Sequence, residues 1–344
     1  MSNSLKISTI ASTNVKVTQI GMGGAPLGKL DKSIAYRTLE QAYENGIRYF
    51  DTAPLYGAGN SENFFGSFLS NIDREQFTLS SKVGRLILSE EEAKSFKQHG
   101  PATATIQVND KASRYKNNVV FDFSRSGILR SIEETLERLK LDYIDIAFIH
   151  DPDDHYDQAL NESFPALAEL KSQGVIKAIG AGMNEWEMLS KFAVEADFDC
   201  FLLAGRYTLL DQSALRTLLP ICEQKDISLI LGGPYNSGIL ASDLASKTTY
   251  FYDPAPADII SKAKKIRDVC EQFGVPLKAA ALQFGLLHPA VASTIPGPST
   301  RTEAAENVDM ITFPINQELW KELKSRNLIA VSYTHLTLPT ILRV

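Results

Sequence analysis

Residues 48–57 read RYFDTAPLYG: a short β-forming run ends at the carboxylate of Asp51, and a loop with Pro54 and Gly57 follows. Short apolar runs of this kind recur along the chain and are typical of strands that a parallel sheet buries on both faces. Together with residues 48–52, the predicted strands are residues 17–22, 77–82, 143–150, 176–181, 198–204, 228–231 and 291–295.

Segments with helical periodicity separate these runs. Ile128, Ile132, Leu136 and Leu139 recur at steps of four, four and three, which places them on one face of a helix. Further helices are predicted over residues 34–45, 163–173, 186–196, 212–225 and 258–273. Strand–helix alternation repeated eight times favours the α/β class and a single-domain (β/α)8 TIM barrel over residues 1–330.

An open, doubly wound sheet is the competing architecture. Its dinucleotide-binding fingerprint reads G-x-G-x-x-G, whereas the early glycine-rich stretch here is Gly21-Met22-Gly23-Gly24. No break in composition indicates a second domain. The alternation around Ser12-Thr13-Asn14 in residues 5–17 predicts an N-terminal β-hairpin that caps one end of the barrel.

Two regions depart from the alternation. Residues 85–123 are long and polar, and they follow the third strand, so we expect a functional loop over the carboxyl-terminal face of the barrel. Residues 331–344 read VSYTHLTLPTILRV, without helical period or cap. We interpret this tail as a non-native or disordered extension and leave it out of the fold.

Composition excludes several classes of function. Hydrophobic residues make up 44% and charged residues 22% of the 344, with a formal net charge of -6, so we expect neither nucleic acid nor membrane as a partner. Residues 1–10 lack the pattern of a signal peptide. Cys200, Cys222 and Cys270 are read as reduced thiols of a cytoplasmic protein, which is a monomer or a homo-oligomer.

Four polar residues fall at or beside predicted strand ends: Asp51, Lys82 and His150 end three strands, and Tyr56 lies on the loop after Asp51. In a barrel these ends converge on one mouth. A tyrosine has a pKa near 10, and a neighbouring ammonium is expected to lower it. Together these side chains predict a general acid/base at a carbonyl or hydroxyl group, which requires a cofactor as the redox partner.

A metal-dependent barrel hydrolase is the alternative for such a mouth. It needs clustered histidines and carboxylates at the strand ends. Only His150 ends a predicted strand, and the other histidines, His99, His155, His288 and His335, fall elsewhere. We therefore predict no metal site.

The chain resembles a known family in the segments Phe50–Gly57, Ser81-Lys82 and Ile149-His150, which match signature segments of the aldo-keto reductases. Within that family it is most similar to the D-threo-aldose 1-dehydrogenases, the group that includes L-fucose and L-galactose dehydrogenases. That closer likeness rests on VFDFSR (120–125), HDPD (150–153), AGMNEW (181–186), LLAGRYTLL (202–210) and GGPYNSG (232–238).

The resemblance implies a role for each of the four residues. Tyr56 would be the general acid/base, Lys82 and Asp51 would tune it, and His150 would orient the substrate oxygen. The implied reaction is oxidation of the C1 hydroxyl of an aldose, of the L-fucose, D-arabinose or L-galactose type, to a lactone. Pyridoxal 4-dehydrogenase and general carbonyl reductase are alternative activities. A nucleotide-binding regulatory subunit with little turnover is a further alternative.

The resemblance also implies a nicotinamide cofactor, held largely by the loops after the last two strands. Gly-rich turns and helix N-termini there suit a pyrophosphate. The expected cofactor-binding residues are Gly24, Asp51, Gly182, Asn184, Gly233, Pro234, Tyr235, Asn236, Ser237, Ile295, Pro296, Gly297, Pro298, Ser299, Glu303, Glu306 and Asn307.

Departures from the family pattern bear on which dinucleotide binds. Members specific for NADPH carry a lysine and an arginine where this chain has Gly297 and Glu303. A glutamate repels a 2′-phosphate and accepts a hydrogen bond from a ribose hydroxyl, which favours NAD over NADP. Arg301 is the counter-argument, because it could reach a phosphate. Ala204 and Gly232 stand where the family has a glutamine and a tyrosine at the nicotinamide.

Overall fold

The computed structural model describes residues 4–96, 106–107, 118–244 and 248–330 of the chain. The strands are β1 (Ile7–Thr9), β2 (Lys16–Thr18), β3 (Met22–Gly23), β4 (Tyr49–Asp51), β5 (Thr78–Val83), β6 (Arg85–Leu88), β7 (Ile106–Gln107), β8 (Asn118–Phe121), β9 (Ile144–His150), β10 (Ile176–Met183), β11 (Cys200–Ala204), β12 (Ser228–Gly232), β13 (Thr249–Tyr250), β14 (Asp253–Pro254) and β15 (Val291–Ile295).

Helices alternate with the longer strands and form the outer layer. They are α1 (Lys32–Glu44), α2 (Asn60–Leu69), α3 (Glu90–Ser95), α4 (Arg125–Leu139), α5 (Tyr156–Gln158), α6 (Phe164–Ser172), α7 (Trp186–Glu195), α8 (Leu218–Gln224), α9 (Ala257–Gln272), α10 (Leu277–Phe284), α11 (Arg301–Thr312) and α12 (Gln317–Ser325).

The central sheet has eight strands in the order β3-β4-β5-β9-β10-β11-β12-β15, and all neighbours are parallel. Its two edges meet at a parallel bridge between Ile20 and Thr294. There the Gly21 N–H donates to the Thr294 carbonyl over 2.9 Å, and the Thr294 N–H donates to the Gln19 carbonyl over 3.1 Å. The predicted (β/α)8 barrel is confirmed, and an open sheet is excluded because its edges are joined.

Seven of the predicted strands occur where expected, but the first prediction was wrong in part. Lys16–Thr18 pairs antiparallel with Ile7–Thr9 in the N-terminal hairpin, and only Met22–Gly23 joins the barrel. One helix is also shorter than predicted: α8 begins at Leu218, and a 3-10 turn over Ser213–Arg216 replaces its first part. Pro220 accounts for this, because proline is tolerated only in the first turn of a helix.

The hairpin closes the amino-terminal end of the barrel, as expected. Its side chains Ile10, Val15 and Val17 are buried in one apolar cluster with the inward-facing Ile146 and Phe148 of β9. This cluster fills the lower half of the barrel interior. The polar residues at the opposite, carboxyl-terminal end therefore face an open mouth above an apolar floor.

The region after β5 is more regular than the predicted loop over residues 85–123. β6, β8 and β7 form a small antiparallel sheet, with Arg85 opposite Phe121 and Leu88 opposite Asn118. Leu86, Leu88 and Val120 bury their side chains in a separate apolar cluster, which explains why this segment pairs as strands. Residues 97–105 and 108–117 of the predicted loop lie outside the described residues.

Three further sequence predictions concern the carboxyl-terminal tail, the membrane and the cysteines. The tail predicted over residues 331–344 lies outside the described residues. Within the part of the chain that the structure does describe, no helix is long and apolar enough to cross a bilayer. The three cysteines are free, as expected for reduced thiols, and all three are buried.

The hairpin yields a stability prediction with a matched control. Ile10 is fully buried, whereas Ile7 on the same hairpin is 65% exposed. We expect Ile10→Ala to lower the free energy of unfolding by about 2–4 kcal/mol, because the truncation leaves a cavity in the barrel floor. Ile7→Ala is expected to change it by less than about 0.5 kcal/mol. Denaturant unfolding measures both, and equal effects would show that the hairpin does not seal the barrel.

Candidate active site

The carboxyl ends of β4, β5 and β9 bring the predicted catalytic residues together. Asp51 ends β4, Lys82 lies one residue before the end of β5, and His150 ends β9. Tyr56 lies on the loop after β4, and all four line one cleft at the mouth of the barrel. This convergence follows from the parallel register, in which β4 neighbours β5 and β5 neighbours β9.

A buried ion pair lies at the base of the cleft. Lys82 Nζ donates to Asp51 Oδ2 over 2.6 Å and to the Thr52 carbonyl over 2.9 Å, while Ser80 Oγ donates to Asp51 Oδ1 over 2.7 Å. The Lys82 and Asp51 side chains are only 2% and 3% exposed. Burial alone would lower the pKa of Lys82, but the charge of Asp51 and the hydroxyl of Tyr56 raise it above its usual value. Lys82 is therefore a fixed ammonium.

Tyr56 lies directly against this ammonium. Lys82 Nζ is 4.7 Å from the centroid of the Tyr56 ring. Burial raises the pKa of Tyr56 above its usual value of 10.0, and Lys82 only partly offsets this rise. Lys82 therefore lowers the pKa of Tyr56, as expected from the sequence, but desolvation outweighs the attraction of this one cation, and the net direction is upward. In this environment Tyr56 is a protonated phenol at neutral pH.

His150 stands edge-on to Tyr56, with the ring centroids 6.2 Å apart. Burial, with the nearby charges of Arg85 and Lys82, holds the pKa of His150 well below its usual value of 6.5. The imidazole is therefore neutral. Its Nδ1 is buried without a hydrogen-bond partner among the described residues. A neutral imidazole that lines the cleft beside a phenol is suited to hold a substrate oxygen.

A second buried polar cluster supports β5 from behind, and sequence reasoning missed it. Glu62 of α2 is fully buried and accepts hydrogen bonds from Ser81 Oγ over 2.7 Å, Thr135 Oγ1 over 3.0 Å and Arg138 Nε over 2.6 Å. These contacts fix α2 and α4 against the strand that carries Lys82. A charged residue on the apolar face of α2 was the only signal in the sequence.

Sequence reasoning also missed the ion pair between Arg85 and Asp151, which lies beside His150. Arg85 Nη2 donates to Asp151 Oδ2 over 2.8 Å, and Asp151 lines the cleft. Asp151 directly follows His150, in a segment noted only for its resemblance, and Arg85 begins the region assigned to a loop. No spacing rule connects residues 66 positions apart, so only the fold shows that they meet.

The cleft has a volume of about 680 Å³ and extends from Tyr56 to the loops after β12 and β15, a size typical of small-molecule sites. Most of the predicted cofactor-binding residues line it: Asp51, Gly182, Asn184, Gly233, Pro234, Tyr235, Ser237, Ile295, Pro296, Gly297, Pro298, Glu303, Glu306 and Asn307. Ala204 and Gly232, the two family departures, line it as well.

Three predicted cofactor residues lie outside this lining. A Cβ on Gly24 would come within 2.5 Å of the Phe65 ring and 2.6 Å of Ser61 Oγ, so Gly24 faces the packed layer behind the cleft. The Asn236 amide donates to the Gly205 carbonyl over 3.2 Å. The Ser299 N–H donates to Glu303 Oε2 over 2.7 Å. These residues shape the neighbouring turns rather than the cleft surface.

The far arm of the cleft, which lies between the loops after β12 and β15, fits a dinucleotide. Gly233 and Ser237 have φ values of +58° and +57°, so the turn after β12 departs from extended backbone along the cleft. A Cβ on Gly297 would lie 2.8 Å from Pro26, so only glycine leaves the passage between these loops open. The 12-residue helix α11 begins at Arg301, after the loop that carries Gly297, and its first turn contributes Glu303 to the cleft lining.

Polar groups complete the end of this arm. Tyr235 Oη donates to Asn307 Oδ1 over 2.7 Å. Lys278 Nζ donates to both carboxylate oxygens of Glu306, over 2.8 and 2.7 Å. Lys278 had no signal in the sequence. A base and a ribose would find amide, hydroxyl and carboxylate partners here, so the residues present are compatible with a bound dinucleotide.

The described residues give no support to the metal-hydrolase alternative. Across residues 4–96, 106–107, 118–244 and 248–330, no group of three or more His, Cys, Asp or Glu side chains is arranged to hold a metal ion. The chemistry of the mouth is that of a phenol, an ammonium and an imidazole.

Comparisons with known proteins agree with this geometry. The sequence profile described as the Aldo/keto reductase family matches residues 19–327. The chain is 37% identical to a pyridoxal 4-dehydrogenase of Microbacterium luteolum over 93% of this chain and 97% of that protein. It is also 37% identical to a D-threo-aldose 1-dehydrogenase of a Pseudomonas species, again over 93% of this chain and 97% of the relative.

Solved structures share the fold. An aldo-keto reductase from Bacillus halodurans in its holo form superposes with a TM-score of 0.74 at 24% identity, covering 96% of this chain and 99% of that one. The glycerol dehydrogenase of Gluconobacter oxydans gives 0.73 at 20% identity, with 99% of both chains covered.

The profile match over residues 19–327 and the two relatives at 37% identity are consistent with the barrel fold. The chain belongs to the aldo/keto reductase family and is an NAD(P)-dependent oxidoreductase.

Proposed function

We propose that this chain is an NAD-dependent aldose 1-dehydrogenase that oxidises the C1 hydroxyl of a cyclic aldose to the lactone. The observation that carries the proposal is the contact between Tyr56 and the buried Lys82–Asp51 pair at the mouth of the barrel. The small-molecule substrate would occupy the arm of the cleft lined by Tyr56, His150 and Asp151.

Each residue of the mouth has a role in this reaction. Tyr56 Oη takes the proton of the C1 hydroxyl during oxidation and returns it during reduction. Lys82 stabilises the tyrosinate that forms, and Asp51 keeps Lys82 charged and in place. Neutral His150 donates a hydrogen bond to the reacting oxygen. When bound in the far arm, a nicotinamide would supply the redox chemistry, as the acceptor of a hydride during oxidation and as its donor during reduction.

Two similar relatives support different substrates. The D-threo-aldose 1-dehydrogenase favours an aldose, and the equally similar pyridoxal 4-dehydrogenase makes pyridoxal the second candidate. Gly24-Ala25-Pro26 places no bulky aromatic after β3, and Ala25 and Pro26 line the cleft. This open wall suits a hydrated ring. The complete set of four mouth residues argues against a regulatory subunit with little turnover.

Charge at the far arm of the cleft supports NAD as the dinucleotide. Glu303 lines the arm and accepts a hydrogen bond from the Ser299 N–H. A carboxylate there repels a 2′-phosphate and accepts a ribose hydroxyl. Arg301 Nη2 instead donates to Gln41 Oε1 of α1 over 2.9 Å and does not line the cleft. Arg301 therefore points away from the arm, and Lys278, which does line it, is paired with Glu306.

The assignments of site and context that go with this function are also proposals. We assign cofactor binding to the predicted residues that line the far arm, with Gly24, Asn236 and Ser299 shaping its turns. We further propose one catalytic domain over residues 1–330 and a cytoplasmic location.

Replacing Tyr56 tests the catalytic assignment. We expect Tyr56→Phe to lower kcat for L-fucose oxidation with NAD by about 10²- to 10⁴-fold, the contribution typical of a general acid/base. Because the pKa of Tyr56 is raised and oxidation requires its deprotonated form, wild-type kcat/KM should rise with pH and should not level off below the usual tyrosine pKa of about 10. The variant should lose this rise.

The readouts are reduced-nicotinamide absorbance for activity and fluorescence titration for NADH affinity, which should stay unchanged. Tyr36→Phe, on the exposed face of α1, serves as the control and should behave as wild type. Near-full turnover of Tyr56→Phe would refute the assignment.

Reversing the charge at Glu303 tests the cofactor assignment. We expect Glu303→Lys to raise kcat/KM for NADP by about tenfold or more, equivalent to ~1.4 kcal/mol of added attraction for the 2′-phosphate. Asp309→Lys makes the same charge change on α11 at an exposed position outside the cleft lining, and should leave the ratio of NAD to NADP efficiency unchanged. An equal response in both variants would mean that Glu303 does not face the ribose.

A further inference from the structure

Asp151 occupies an unusual backbone position at the mouth of the barrel. It directly follows His150 and has a φ of +45°, in the left-handed region that aspartate enters more readily than most residues. Its N–H donates to the Gly182 carbonyl of the adjoining strand over 3.0 Å. This bond and the turn it closes hold the carboxylate on the cleft wall, beside the residue that would orient the substrate.

Arg85 holds this carboxylate from the protein side. Its Nη2 donates to Asp151 Oδ2 over 2.8 Å, and the Arg85 side chain is 6% exposed, whereas that of Asp151 is 22% exposed. The Phe121 ring covers the guanidinium, with Arg85 Cζ 4.6 Å from the ring centroid. Arg85 is therefore enclosed, and Asp151 is the member of the pair that meets the cleft.

The Phe121 ring is itself fixed by neighbours. It stacks on Phe123 at 5.9 Å and on His155 at 5.6 Å between ring centroids. The packed rings of Phe121, Phe123 and His155 join the small β6–β8 sheet to the loop after β9. The position of Arg85, and so of the Asp151 carboxylate, is set by packing rather than by substrate.

Asp151 retains unused hydrogen-bonding capacity. A carboxylate offers about four lone-pair directions, and the structure uses Oδ2 for Arg85, with His150 Nε2 a more distant 3.5 Å away. The cleft lining also includes the apolar side chains of Leu55, Met183 and Leu202. A ligand that donates a hydrogen bond near His150 would gain a charged acceptor there, whereas one without a donor would leave that acceptor desolvated.

We propose that Asp151, positioned by Arg85, is a specificity-determining residue that accepts a hydrogen bond from a substrate hydroxyl next to the reacting carbon. The enzyme then selects uncharged, polyhydroxylated substrates over simple carbonyl compounds, which have no such donor. This inference rests on the proposed oxidoreductase function and names the substrate class of the same site. Arg85 is a positioning residue in it and makes no contact with substrate.

The test compares two substrate classes in one variant. Asp151→Asn is assayed for oxidation of L-fucose with NAD and for reduction of methylglyoxal, which has no hydroxyl, with NADH. We expect kcat/KM for L-fucose to fall by about 10- to 100-fold, as for a lost hydrogen bond to a charged group, mainly through KM. Methylglyoxal reduction should change by less than about threefold.

Controls separate this role from a structural one. Asp153→Asn removes an exposed carboxylate two positions away that does not line the cleft, and should leave the ratio of the two efficiencies at the wild-type value. Because Asp151→Asn leaves the Arg85 charge without its partner carboxylate, the double variant Arg85→Gln/Asp151→Asn, which removes both charges, is measured in the same way. It should show the same loss of sugar preference.

The outcomes are distinct. A selective loss for L-fucose in either variant supports the proposal, whereas a parallel loss for both substrates means that the ion pair only tethers the β6–β8 sheet and overturns it. Unchanged kinetics also overturn it. Failure of the proposed function itself would be visible earlier, in a wild-type enzyme that turns over neither substrate.

Discussion

The buried ion pair between Lys82 and Asp51 is the interaction on which the site depends. Two charges that are 2–3% exposed are costly to desolvate, and they are stable only with close geometry and further hydrogen bonds. Ser80 and the Thr52 carbonyl supply these bonds, at 2.7 and 2.9 Å. Adjacent parallel strands hold all four groups in register. The barrel thus places a permanent ammonium under Tyr56 in a site that water reaches poorly.

In that arrangement two opposing effects set the pKa of Tyr56. Burial raises the phenol pKa, and Lys82 lowers it by less. The proton therefore stays on Tyr56 in the resting site, and Lys82 is in place to stabilise the tyrosinate that forms when this proton leaves, at alkaline pH or during reduction. The neutral His150 beside it adds a hydrogen-bond partner without adding a competing charge.

Much of this could be predicted from the sequence, for identifiable reasons. Buried parallel strands can be recognised in a sequence as short apolar runs, and residues at their carboxyl ends converge. The sequence alone therefore predicted that Asp51, Lys82 and His150 lie together. Glycines and prolines likewise marked the loops that line the far arm of the cleft. The first barrel strand was predicted too early in the chain because residues 16–18 are as β-forming as the barrel strand. These residues instead pair with residues 7–9 in the N-terminal hairpin.

Other features depend on three-dimensional facts that no local pattern encodes. The direction of the Tyr56 pKa depends on how much solvent is excluded, which a strand-end pattern does not reveal. The Arg85–Asp151 contact joins residues far apart in sequence through a small sheet that looked like an irregular loop. Arg301 resembled a phosphate ligand until its partner on α1 was visible.

The most direct test of C1 oxidation follows the hydrogen on C1 of the sugar. L-fucose carrying deuterium at C1 would be incubated with the enzyme and NAD, and the products examined by NMR and mass spectrometry. The account predicts a lactone without the label and a reduced nicotinamide with deuterium at C4 of its ring. Reduced cofactor without deuterium, or no oxidation of L-fucose, would contradict the claim that Tyr56 and its neighbours serve C1 oxidation of an aldose.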